Sequence, residues 1–144
     1  MNRDQLDETV SACLNLIETR FPDGEERGAA AMLLADGTIL TGTAPDAVNP
    51  AVEVCHEIEP YAGAFRLNQA VVASVCLHRD GHGRFLVLSP CGVCRERLAV
   101  HGPDVLVGVA VPEDPAQVVW TALRDVLPDY WMTVFDDEVT GGWR

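Results

Sequence analysis

Lysine is absent and positive charge as a whole is scarce: ten arginines face 22 acidic residues, for a formal net charge of −12 over 144 residues. A field of that sign repels polyanions, and the arginines form no cluster of the kind that releases counterions on binding nucleic acid. A nucleic-acid partner is therefore excluded and a small substrate favoured. Long apolar runs are missing too, since nothing approaches the roughly 20 apolar residues of a membrane span. The opening MNRDQLDETVSACLNLIETRF carries acids and helical periodicity where a signal peptide needs a basic start and an unbroken apolar stretch. The expected location is cytoplasmic, with no membrane partner. Cysteines are few and odd in number, five, which in that compartment points to thiols or metal ligands rather than a disulfide framework. Repeats, low-complexity tracts and linkers are lacking, which leaves a single domain spanning 1–144. Its 48% hydrophobic and 22% charged residues suit a core that packs without disulfide staples.

Leu6, Val10, Cys13, Leu14 and Ile17 recur at helical spacing and predict an amphipathic helix over 4–20, ended by Phe21-Pro22-Asp23-Gly24. The apolar run 28–34, the turn signal Asp36-Gly37 and the stretch 38–43 predict a hairpin. After a loop opened by Ala44-Pro45-Asp46, residues 51–69 carry one helix's worth of sequence, with Pro60 tolerable only near its first turn or at a bend. Strands are predicted over 70–77 and 85–88, around the polar turn Arg79-Asp80-Gly81-His82-Gly83. A helix over 90–101, a β-branched strand over 105–111 and a last amphipathic helix over 115–127, packed by Trp120 and Tyr130, complete the pattern. Helices alternating with apolar strands point to an α/β fold with a central sheet covered by helices.

The informative pattern is Cys55-His56-Glu57 followed, 36 positions after Cys55, by Cys91 in Pro90-Cys91-Gly92-Val93-Cys94. Each half alone is weak, because C-x-x-C at a helix start also serves as a redox pair, half of a structural zinc site, or two core cysteines. Together they offer three thiolate ligands and an open fourth position, the arrangement of a catalytic zinc whose water ionises near neutral pH to a hydroxide nucleophile. Glu57, two residues past a ligand, has the position to shuttle the proton. His56 is a competing ligand, since imidazole binds zinc well. The residue two beyond it is Ile58, however, which favours Cys55 as the ligand and gives His56 a supporting or packing place. Glu59 falls on a different side of the helix from Glu57 and reads as a solvated or structural acid.

C-x-E followed by P-C-x-x-C resembles the zinc-binding signature of the cytidine deaminase superfamily. The likeness covers most of the chain from Gly28 to Tyr130: Asp36-Gly37, Thr41-Gly42, an ungapped interval from Gly42 to Cys55, the segment SPCGVCRERL over 89–98, and Val126-Leu127-Pro128. The resemblance implies a cytidine deaminase-like α/β fold, a central mixed sheet of about five strands in a three-layer α-β-α arrangement. It also implies a homotetramer, with a homodimer as the alternative, whose sites are completed across subunits. The activity implied is zinc-dependent hydrolytic deamination of a cytosine-type nucleoside or analogue, with Cys55, Cys91 and Cys94 on the metal, Glu57 catalytic, and Asp46, Ala44 and Pro90 on the substrate. The alternative is a zinc-containing, deaminase-like binding or structural protein without catalysis.

Three departures from the family pattern stand out. The family's N-x-E element, which binds the ribose hydroxyl, is replaced by Ala44 and Asp46, leaving a carboxylate for a hydroxyl or a cationic substituent. Residues 24–27, Gly-Glu-Glu-Arg, lack the aromatic that stacks near the pyrimidine. Ile58 stands where family members with three thiolates carry an arginine, so that compensation of the site's net negative charge falls to Arg95 or Arg97, for each of which a solvated helix face or an intersubunit pair is the competing reading. Cys13 and Cys76 read as core. His78, His82 and His101 read as surface residues of turns and a helix end. Trp131, Phe135 and Trp143 read as an aromatic lid on a neighbouring subunit or as anchors of the tail.

Overall fold

The computed structural model describes residues 1–135 and 141–143. Its elements are helix α1 (Arg3–Arg20), strands β1 (Gly28–Leu34) and β2 (Ile39–Gly42), helix α2 (Ile58–Arg66), strands β3 (Val71–Arg79) and β4 (Phe85–Val87), helix α3 (Gly92–Leu98), strands β5 (Leu106–Val111) and β6 (Asp114–Ala122), and the short helix α4 (Leu123–Val126). Single 3-10 turns stand at Pro50–Val52, Ala99–His101, Trp131–Val134 and Gly141–Trp143. No helix among the described residues is long and apolar enough to cross a membrane.

The strands form one mixed sheet in the order β2-β1-β3-β5-β6, with β4 also paired to β3. All pairs are antiparallel except β3 with β5, where Ala73 faces Leu106 and Ser74 faces Val107. A parallel pair needs a long crossover, and here β4 and α3 provide it, so the Cys91-Cys94 segment lies inside that connection. β1 is buried at all seven positions, as expected of a strand covered on both faces. Successive side chains alternate between two cores. Ala29 and Ala31 join Val75, Leu77 and Val87 beneath Cys13 and Ile17 of α1 and Phe21 just past its end. Met32 and Leu34 join Val71, Val105 and Val107 on the other face, against Ala64 of α2, Leu98 of α3 and Leu123 of α4. The α/β three-layer expectation holds, with six strands.

α1 starts where its chemistry says it should: Asn2 Oδ1 accepts from the Gln5 amide at 2.9 Å and Gln5 Oε1 accepts from the Asn2 amide at 3.0 Å, a reciprocal cap. Cys13 is fully buried and Cys76 nearly so, both in the core as read. Arg79 ends β3 rather than lying in the turn, and its buried guanidinium donates to the carbonyls of Glu25 and Phe21, at 3.0 and 2.5 Å.

Two predicted helices differ. Over 115–127 the chain is strand β6 and then one helical turn, because Val118, Val119, Trp120 and Thr121 suit a pleated surface and find a partner: Gly108 faces Trp120 and Val109 faces Val119. Pro115, at the start of this edge strand, costs no ladder bond that a central strand would miss. Over 51–69 the helix is confined to α2. Asn49 caps the 3-10 turn at Pro50–Val52, and Pro60 sits in α2's first turn, where its missing amide hydrogen would lack a helical acceptor anyway.

His101 is half-buried rather than a free surface residue. Its Nδ1 accepts from the Val71 amide at 3.3 Å and its ring meets Tyr61 edge-on. Burial holds its pKa below the ordinary imidazole value, so acidification protonates the unfolded chain first. The contribution is complete above the unfolded value of about pH 6.5 and is lost as pH falls through the lower folded-state value. Urea unfolding from pH 7.5 to 5 is expected to show a shallower acid-side decline for His101→Gln than for wild type; identical slopes would remove this linkage. Ile17→Ala, at a fully buried α1 position, is expected to cost about 2–5 kcal/mol in the same assay.

Candidate metal and catalytic site

Cys55 lies in the turn ahead of α2, with its carbonyl accepting from the Ile58 amide at 3.2 Å. Cys91 caps α3 and Cys94 stands within it. The fold brings the three together: Cys55 Sγ is 3.4 Å from Cys91 Sγ, and all three sulfurs lie within 4.8 Å of one another. All five cysteines are free thiols. A tetrahedral ion with metal–sulfur bonds of about 2.3 Å sets its sulfurs about 3.8 Å apart, a spacing this group brackets. Cys94 is buried, Cys55 half-buried and Cys91 exposed, so the cluster opens outward at Cys91. As a donor set it fits a thiophilic cation, and the group can hold a metal ion.

The thiol energetics agree. Burial, then the neighbouring Glu57 charge, pushes the Cys94 thiol far up. Burial and the Cys91 contact raise Cys55. Burial acts upward on Cys91 as well, but the amides of Cys94 and Val93 at the start of α3, with the Cys55 thiol, outweigh it and hold Cys91 below the ordinary value. Only one sulfur is thus predisposed to ionise, and bringing all three to thiolate calls for a cation among them.

Glu57 is the residue immediately before α2, 6% exposed, and its side chain makes no capping bond to its own helix. Its charge acts on Cys55, Cys94 and Cys76, the last facing it from β3. Glu59 is exposed and lines a different cavity of about 250 Å³ with Arg20, Arg27, Ala44 and Asp46. A cavity of about 760 Å³ between the start of α1 and β5–β6 includes none of the cysteines and not Glu57.

His56 stays out of the sulfur group. Its Nδ1 accepts from the Ala44 amide at 2.9 Å and lies 3.5 Å from Thr43 Oγ1, while Thr43 Oγ1 donates to the Gly28 carbonyl at 2.6 Å. The acceptor role places the ring proton on Nε2, and burial lowers the pKa, which favours the neutral ring. A Cβ on Gly28 would fall 2.6 Å from His56 Nε2, and one on Gly42 2.5 Å from Glu59 Cβ and 2.6 Å from Pro60 Cδ. These two glycines let the β1–β2 hairpin close directly onto the Cys55–Glu57 turn and the first turn of α2.

The positions expected to meet substrate have partners already. Asp46 is paired with Arg27 through two bonds of 2.7 and 2.9 Å, which holds its carboxyl below the usual range. The Ala44 amide is given to His56, and the Pro90 carbonyl accepts from Arg95 Nε at 2.7 Å. The Arg27–Asp46 pair is the feature sequence reasoning missed, because no periodicity links residues 19 apart. In the tail, Trp143 packs on Tyr130 with centroids 4.6 Å apart and donates to the Ala99 carbonyl, the anchoring arrangement. Tyr130 and Trp131 both donate to Glu96 of α3, and Trp131 keeps most of its surface exposed. The rest of the tail expectation, at 136–140 and 144, lies outside the described residues.

No family model matches the chain. It is 34% identical over 101 residues to the cytidine deaminase of Mycobacterium tuberculosis strain CDC 1551 / Oshkosh, covering 69% of this chain and 68% of that protein. The cytidine deaminase of strain H37Rv matches to the same extent. The fold is similar to the crystal structure of the cytidine deaminase from Bacillus anthracis, with TM-score 0.85 and 34% identity over 95% of this chain and 96% of that one. It is also similar to the crystal structure of the Mycobacterium tuberculosis enzyme, with TM-score 0.57 and 30% identity over 76% and 81% of the two chains.

His56→Ala leaves the Ala44 amide without its acceptor and is expected to cost about 1–3 kcal/mol in urea unfolding, with His56→Asn recovering part by offering an amide oxygen. An alanine variant as stable as wild type would show that the bond carries no weight.

Proposed function

Since the chain belongs to the cytidine deaminase family, we propose that it is a zinc-dependent hydrolase that converts a cytosine-type nucleoside or analogue to its uracil form with release of ammonia. The observation that carries this reading is a buried carboxylate, Glu57, placed two residues from Cys55 in a group of three convergent cysteine sulfurs. A purely structural metal site has no use for an acid buried beside it.

Cys55, Cys91 and Cys94 would hold the zinc, which when bound would supply a water ionised near neutral pH and thereby a nucleophile without a strong free base. Glu57 takes one proton from the attacking water and passes it to the ring nitrogen beside the carbon under attack, then takes the second proton from the hydroxyl now on that carbon and hands it to the departing amine. One water enters, one ammonia leaves, and the carboxylate is regenerated. Pro90, Ala44 and Asp46 are assigned to the substrate side. Ala44 offers a methyl group, so sugar recognition there differs from an amide's. The Arg27–Asp46 pair presents a donor and an acceptor together on the exposed edge, which suits a hydroxyl better than a cation; the substrate class remains cytidine, a modified cytidine or a cytosine-bearing antibiotic.

Association with further copies of the chain fits the surface. Val48, Val52 and Val54 lead up to Cys55, Leu88 and Val93 flank Cys91, and all five are exposed. Covering them would bury apolar area and close the open side of the cluster. A homotetramer, or a homodimer, accounts for both.

The test is ammonia release with metal content determined in parallel, on cytidine, deoxycytidine, N4-substituted cytidines, cytosine and blasticidin S. Turnover of one class with about one zinc per chain is expected, and chelation should abolish it. Glu57→Gln should keep the zinc and lose at least about 10²-fold in kcat. Undiminished turnover would remove Glu57 from the mechanism, whereas zinc without turnover of any amino-heterocycle would leave a binding protein.

A further inference from the structure

Three thiolates around a divalent cation sum to a net charge of −1, which weakens the site's hold on its ligands' anionic form unless another cation shares the cluster. Ile58, directly after Glu57, brings none. Two guanidiniums stand on α3, and the structure sends them in different directions. Arg95 donates from Nε to the Pro90 carbonyl and from Nη1 to the Val126 carbonyl, each at 2.7 Å. It ties the entry to α3 to the end of α4, and both of its bonds go to neutral carbonyl oxygens. Arg97 follows Cys94 by three residues, close to one helical turn, which puts the two side chains on neighbouring rows of one face. Its Nη1 lies 3.7 Å from Cys94 Sγ.

We propose that Arg97 is the charge-compensating and positioning residue of the thiolate cluster, its guanidinium donating to Cys94 Sγ and bringing the metal-loaded site to neutrality. This rests on the reading of the three cysteines as a zinc site. A guanidinium stays protonated throughout the pH range of a folded protein, so the charge it brings to Cys94 is fixed. A planar donor fork anchored on the same helix as two ligands also orients the Cys94 sulfur at little entropic cost. Outer partners of metal ligands carry about 10–100-fold in metal affinity, the size of effect expected here. Arg97 acts through Cys94 and touches no substrate.

The experiment titrates zinc into metal-free wild-type, Arg97→Gln, Arg97→Lys and Arg95→Gln chains against a chromophoric chelator, at one pH and ionic strength, with thermal unfolding of each metal-free chain. Arg97→Gln should lose about 10–100-fold in zinc affinity with its metal-free melting unchanged, and Arg97→Lys should recover part of the loss by restoring the charge. Arg95→Gln should melt earlier without a matching loss of affinity. In cobalt(II)-loaded chains the sulfur-to-cobalt absorption should shift for Arg97→Gln and not for Arg95→Gln. An Arg97→Gln chain that binds zinc as tightly as wild type overturns the proposal while leaving the zinc reading intact. Wild type that takes up no zinc overturns both.

Discussion

The approach of Cys55 to Cys91, 3.4 Å apart across 36 residues, is the constraint around which the rest of the molecule is arranged. Neither cysteine lies in a long regular element. Cys55 is in a turn and Cys91 is a helix cap, and each such position is soft unless its neighbours are tied. Burying a third sulfur and a carboxylate beside them makes a cluster that resists ionising, the Cys55 and Cys94 thiols being raised first by burial and then by the mutual repulsion of neighbouring charges. A cation resolves that repulsion, and the protein's part is to keep the donors converged until it does.

The convergence is built from both sides of the sheet's β3. On one side the β1–β2 hairpin closes on the Cys55 turn through His56 and the two glycines, 28 and 42, whose missing side chains allow contact at backbone distance. On the other, the crossover from β3 to β5 carries α3, and Arg95 together with the Glu96 bonds to Tyr130 and Trp131 pins that helix at its entry and along its outer face. Turns held this way gain their precision from elements that are themselves rigid, the arrangement expected where reacting groups need fixed distances.

The chemistry-bearing residues were legible because zinc chemistry limits them to a few types at short spacing. Cys55, Glu57, Cys91 and Cys94 could be grouped before any fold was known, and the strand at β1 was legible as an unbroken apolar run. Elements whose pattern serves two periods were not legible. Residues 115–127 satisfy helical spacing on paper, but Val118, Val119 and Trp120 have an open β5 edge beside them, and pairing decides between the two. The shortened α2 reflects Asn49 and Pro50 starting a separate turn. Contacts such as Arg27 with Asp46, or Arg79 with the carbonyls of Phe21 and Glu25, join segments far apart in sequence and leave no local trace.

The arginines show why the compensating charge has to be local. In a chain of net charge −12 without lysine, positive charge is scarce. Arg27 and Arg84 are paired to Asp46 and Asp80, Arg124 to Asp104, and Arg79 and Arg95 are committed to backbone carbonyls. Guanidinium is suited to such fixed, multidentate roles in a way that ammonium is not. A protein that uses its positive charges as staples cannot neutralise a thiolate cluster from a distance, since the acidic surface would screen and oppose the effect. The charge has to be carried by a side chain whose own backbone is part of the site, and α3, which already contributes Cys91 at its cap and Cys94 within it, is the element placed to carry it.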